Sequence, residues 1–170
     1  MGTEGGLDPG LGPASARWGA AARAVTVAAG EVLVTHGAPS GTLYFVVEGS
    51  FRATRPTRAG AIELGQIGPG SWLGEVGLID QGPATATVVA LAPSRLLALD
   101  HAGLERLLID DPELACAILR RVTRTLAARL RRTSAGVLEA MDDQEVRLAP
   151  ASGPGWVTRA MNWLGGGGES

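Results

Sequence analysis

A glycine followed by a carboxylate, Gly74-Glu75, stands near the start of the run WLGEVGLIDQGPATATVVA between Trp72 and Ala90. Residue types that can do chemistry concentrate in this segment. Gly74 lets the backbone turn sharply. Glu75 to Ile79 is long enough for about one helical turn, and exposed N–H groups at such a turn form a cradle for an anion. A carboxylate at the helix start can accept a hydrogen bond from a sugar hydroxyl. The same pair also reads as a capped turn between two strands, and Glu75 by itself is not a catalytic constellation.

Other reactive side chains are few. Cys116 is the single thiol, so it closes no intrachain disulfide, and its place on an apolar helix predicts a small buried hydrophobe. His36 reads as a turn residue and His101 as a first-turn helix residue, and with one cysteine they make no metal-ligand cluster of ordinary spacing. No nucleophile–base pair and no glycine-rich nucleotide loop of an enzyme occurs, which predicts a non-catalytic protein without a cofactor. All 15 basic residues are Arg, and six of them fall between Arg120 and Arg132. They read as a solvated helix face whose cations favour the C-terminal end of the helix dipole, or as a face for phosphate or an acidic partner.

The elements that must position these residues follow from composition and pattern. A chain of 170 residues with 45% hydrophobic and 19% charged residues can bury one real core and carry tails, which excludes pervasive disorder. With 25 glycines and only 4% aromatics, turn-rich β structure around Val, Leu, Ile and Ala is expected. The formal charge of -2 disfavours a protein that coats nucleic acid. The leading MGTEGGLDPGLG has neither a basic start nor an apolar stretch, and no run of 18 apolar residues occurs, so a cytoplasmic chain with no membrane contact is expected.

After a Gly- and Pro-rich lead, the Ala-rich residues 14–24 predict one or two helical turns. From Val25, short runs rich in Val, Thr, Tyr and Phe alternate with Gly and Pro signals, which predicts about eight strands ending near Leu99. The period then changes. Asp100 caps a short helix over His101 to Ile109, and Asp111, Pro112 and Glu113 start a longer one reaching about Arg132. Its Ala115, Leu119, Val122 and Leu126 form a narrow stripe suited to one partner helix or to the flank of a sheet. In the closing segment Trp156, Val157, Ala160, Met161 and Leu164 share one face of a short amphipathic helix.

Several landmarks fall in a fixed order: Gly30-Glu31 after the first strand, HGAPSG leading into LYFVVEGS with Gly49, Gly68-Pro69-Gly70, Gly74-Glu75-Val76-Gly77-Leu78, and Ala86-Thr87-Val88 opening a strand. From about Val25 to Arg132 the chain thereby resembles the cyclic-nucleotide-binding domain family, the effector domain of catabolite activator protein-like regulators. The resemblance implies a mainly β fold with flanking helices: an eight-stranded jelly roll interrupted by a short phosphate-binding cassette and followed by a short and a long C-terminal helix. It divides the chain into a flexible lead with a short helix at 1–24, the domain at 25–133, and a flexible tail at 134–170.

It also implies roles. The family's cassette glutamate, which takes the ribose 2'-hydroxyl, falls on Glu75; Gly74 and the backbone of Val76 and Gly77 fall on positions lining sugar and phosphate. The arginine that pairs with the cyclic phosphate falls on Ala84, followed by the hydroxyl of Thr85. Truncating such a contact costs about 2 to 5 kcal/mol, and Arg95, Arg120, Arg121 and Arg124 are the candidates to replace it. The function implied is a regulatory or sensor module that binds cAMP or cGMP weakly or atypically and signals through the long helix to a protein partner or a second copy. The alternative is a degenerate domain that binds no nucleotide and serves as an interaction scaffold. A minor alternative is a transcription regulator acting through a DNA-binding partner. Direct DNA binding is not expected, because the 38 residues after Arg132, interrupted by Gly and Pro, are too few for a winged helix-turn-helix.

Overall fold

A computed structural model describes residue 11 and residues 15–148, for residues 15, 16 and 135–148 the backbone alone. The elements in chain order are α1 (Ser15–Ala21), β1 (Arg23–Val27), β2 (Val32–Val34), β3 (Thr42–Glu48), β4 (Phe51–Thr57), β5 (Gly60–Ile67), β6 (Trp72–Leu73), α2 (Glu75–Asp80), β7 (Thr87–Ala90), β8 (Ser94–Asp100), α3 (His101–Asp110) and α4 (Pro112–Leu148). Eight strands form two four-stranded antiparallel sheets, ordered β1-β8-β3-β6 and β2-β7-β4-β5. This is the jelly roll expected.

The two-residue period of the strands splits the core into two clusters. On β3, Val46 joins Val27, Phe51, Val88 and Leu96 between the sheets, whereas Leu43 and Phe45 point to the opposite face. There they meet Trp18 of α1, Trp72, Leu104 of α3, and Leu114, Ala115, Ile118 and Val122 of α4. Trp18 is fully buried, with its ring 5.1 Å from that of Trp72, and Trp72 in turn lies 5.3 Å from Phe45. Arg17 ties the same short helix to the α3–α4 junction, through Asp111 Oδ2 at 3.2 Å and Glu113 Oε2 at 2.8 Å. The hydrogen bond to Glu113, helped by the field of Asp111, raises the Arg17 guanidinium above its ordinary value.

Helix starts follow their sequence signals. Asp100 Oδ1 accepts from the Gly103 amide at 2.7 Å, and Asp111 Oδ1 accepts from the Leu114 amide at 3.1 Å. The far end of α4 corrects the expectation, since the helix continues past Arg132 to Leu148. Residues 133–148 are mostly good helix formers (Ala, Leu, Glu, Met, Gln and Arg), Gly136 is tolerated, and the first proline beyond is Pro150. The six arginines therefore lie mid-helix, and their expected place at a dipole terminus is corrected with it. The 115/119/122/126 stripe is used by the domain's own core, with Leu119 and Leu126 packed against it. Cys116, one position past buried Ala115, is exposed rather than buried. Among the described residues, those up to Ala128 form one compact unit and those from Arg129 a second. The face assigned to Trp156 through Leu164 lies outside the described residues.

Candidate functional site

Glycine geometry builds the front of the cassette. Gly74 is the N-cap of α2, in the left-handed region at φ 85°, and a Cβ there would strike the Thr42 carbonyl oxygen. At Gly77 a Cβ would run into the Ser40 side chain, so α2 sits hard against the end of the β2–β3 turn. The helix is closed by hydrogen bonds from the Leu78 amide to Gly74 O and from the Gln81 amide to Gly77 O, both 3.0 Å. Leu78 is fully buried in the helix-side core and anchors the element.

Glu75 is carried inward by that anchoring and is only 1% exposed. A carboxylate in the first turn of a helix gains from the amide dipoles, but burying it carries a desolvation cost that demands polar company. Val76 beside it is half-buried. The front half thus places a buried acceptor next to a turn that only glycine fits.

The back half is held by backbone rather than by side chains. Ala84 N–H donates to Ala38 O and Ala84 O accepts from Gly37 N–H, both at 2.8 Å, beside a β-bridge between Pro39 and Pro83. Ala84 is buried at 8% exposure and Thr85 is exposed. Thr87 is structural, its Oγ1 accepting from the His36 amide at 3.0 Å. Both halves therefore clasp one turn, with Ser40 and Thr42 against the front and Gly37 and Ala38 against the back. These turn residues were missing from the site expected from sequence, because contacts made through backbone atoms and small side chains leave no chemical signature in it.

No Arg lies between Trp72 and Ala90. Arg95 does not supply one. Thr42, which abuts Gly74, pairs with Asp100 at one end of β8, while Arg95 pairs with Glu48 at the other. Five residues of strand put them roughly 17 Å apart. Arg95 Nη2 instead meets Glu48 Oε1 at 2.6 Å, beside a shallow groove of about 530 Å³ that holds Thr26, Glu31 and Ser94 and no cassette residue. Among the described residues no group of three or more His, Cys, Asp or Glu is placed to hold a metal ion, and no helix is long and apolar enough to cross a membrane.

An antiparallel roll interrupted by a short helix with a buried acid, and backed by a helical layer, defines an effector-type jelly roll. The chain belongs to the cyclic nucleotide-binding domain family, whose model matches residues 24–111, just over half of its length. It is 39% identical over 95 residues to a cyclic nucleotide-gated potassium channel of Mesorhizobium japonicum, covering 56% of this chain and 25% of the channel. It is 31% identical over 106 residues to a CRP-like cAMP-activated global transcriptional regulator of Mycobacterium tuberculosis, covering 62% of this chain and 46% of the regulator. The crystal structure of the N-terminal domain of a transcriptional regulator from Streptomyces coelicolor A3(2) superimposes with a TM-score of 0.61 at 41% identity, over 72% of this chain and 85% of that one. The chain spans between a quarter and a half of the length of these curated relatives.

Proposed function

We propose that the chain is a non-catalytic sensor module that binds cAMP or cGMP through Gly74, Glu75, Val76 and Gly77, with Ala84 and Thr85 at the phosphate end. Its output is the long helix α4, which conveys the bound state to a protein partner or a second copy in the cytoplasm. The observation that carries this reading is the burial of Glu75 at the start of α2, since a buried carboxylate is costly unless it serves as an acceptor. Without an Arg at position 84 the phosphate would rest on backbone N–H groups and the Thr85 hydroxyl. Binding is then weak or atypical.

Isothermal titration calorimetry of the full chain against cAMP and cGMP, up to millimolar ligand, tests it. Saturating heat that disappears in Glu75→Ala is the expected result. Absence of heat for both nucleotides overturns it in favour of a second reading, a degenerate domain kept as a protein interaction scaffold. That second reading draws on Ala84, whose backbone polar groups are both satisfied by the turn and whose side chain is buried.

A further inference from the structure

His101, the first residue of α3, sits where the cassette helix ends. Its Nδ1 lies 3.4 Å from the Leu78 carbonyl oxygen of α2, its Nε2 lies 3.1 Å from Gln81 Nε2, and its backbone amide donates to Gly41 O at 3.0 Å. A glutamine amide nitrogen only donates and a carbonyl oxygen only accepts. The two contacts therefore require one tautomer, with the proton on Nδ1 facing Leu78 and a lone pair on Nε2 facing Gln81. Gln81 itself is the one non-glycine residue at positive φ (53°) among the described residues, held there as the C-cap of α2.

A second acceptor lies near the same ring nitrogen. Glu105, one turn along α3, has Oε1 at 3.7 Å from the same Nε2. Of the other charged groups on the elements around the ring, the Asp80 carboxylate of α2 accepts from the Gly82 amide and that of Asp100 from the Gly103 amide; α2 also carries Glu75, and α3 also carries Arg106 and Asp110. The adjoining turn, residues 37–41, carries no charged side chain.

We propose that His101 is a proton-controlled latch between the cassette helix and α3, closed on Gln81 when the imidazole is neutral and turned to Glu105 when it is protonated. A second proton on Nε2 converts an acceptor into a donor. The Gln81 amide nitrogen then faces another N–H, and the carboxylate becomes the better partner. The C-cap residue of α2 loses its side-chain contact with α3, and the cassette is uncoupled from the helical layer. His101 is a positioning residue here, and the device works without any ligand.

The test is NMR on the full-length, isotope-labelled chain between about pH 5 and pH 8. The neutral ring is expected to show the Nδ1–H pattern. On acidification the Gln81 and Gly82 amides are expected to move with the same titration as the ring. Exchange of the α2 amides, corrected for its intrinsic pH dependence, should accelerate roughly threefold to tenfold, the worth of one hydrogen bond. In Gln81→Ala the ring still titrates and the acid-induced acceleration disappears. A neutral ring protonated on Nε2, α2 amides that ignore the ring, or an unchanged acceleration in Gln81→Ala would each overturn the proposal.

Discussion

The two halves of the cassette clasp the same turn by different means. In the front half, Gly74 and Gly77 are fixed by close packing on Thr42 and Ser40, and α2 is anchored through Leu78. In the back half, two backbone hydrogen bonds to Gly37 and Ala38 do the holding, and the side chain at position 84 is a methyl group. A glycine there is answerable to packing whether or not a ligand is bound. An arginine at 84 would answer to the ligand alone, because the backbone bonds of Ala84 are made by any residue but proline. The difference teaches where substitution tests the proposed site apart from the fold: at Glu75 and Ala84, since changes at the glycines disturb packing as well.

The sharpest way to break that contrast is to repair the back half. Ala84→Arg is expected to raise affinity for cAMP or cGMP by roughly 30-fold to several thousand-fold, equivalent to about 2 to 5 kcal/mol, read by calorimetry. If it creates no measurable binding, the back half is closed to nucleotide. Gly74→Ala should cost about 3 kcal/mol in urea denaturation, through the left-handed backbone and the collision with Thr42 O. In Gly82→Ala, by contrast, the added Cβ meets only the Asp80 carboxylate, at 3.0 Å and 3.1 Å, in an ordinary backbone region, so the loss should stay below about 1 kcal/mol.

Glu75→Gln separates ligand from fold within the front half. It keeps the shape and removes the charge, so nucleotide affinity should fall roughly tenfold or more while the urea midpoint moves little. An affinity unchanged from the parent would remove Glu75 from the site. The smallest effect belongs to Arg17→Ala, far from this contrast. Its pairs with Asp111 and Glu113 are partly exposed, and added salt should abolish whatever shift in thermal midpoint the substitution produces. The Arg17 guanidinium is raised in the folded state, so its contribution is fully present below its ordinary value and lost only as pH climbs through the raised one. Titration of Arg17 therefore adds no pH dependence to stability near neutrality.

How much of this was legible in the sequence differs by element. Asp100, and Asp111 with Pro112 and Glu113, announce their helices because a cap is a local side-chain chemistry, and both caps form at the expected residues. Strand positions were readable because β-branched runs alternate with Gly and Pro. The end of α4 was not, since small residues mixed with acids resemble a linker although most of them are good helix formers. Cys116 is not legible because an apolar stripe through Ala115, Leu119, Val122 and Leu126 does not by itself say which side of it the thiol occupies. Leu114 and Ile118, also buried, show that the stripe is wider and turned away from Cys116. At the site, Gly74 and Glu75 stood out by type, whereas the clasp on residues 37–42 could not, because backbone bonds between distant segments have no residue signature.

The tilted pair of indoles, Trp18 and Trp72, gives the molecule an optical property of its own. Trp72 precedes Gly74 by two residues, and its ring lies 5.1 Å from that of Trp18, inclined at 39°. Chromophores that close and that oriented couple their excited states, so the pair should contribute a circular-dichroism couplet whose sign and size depend on the angle between the rings. Movement of the strand that leads into the cassette would rotate one transition dipole against the other. The chain thus carries an unlabelled spectroscopic gauge of its own conformation, and Trp18→Phe would silence it.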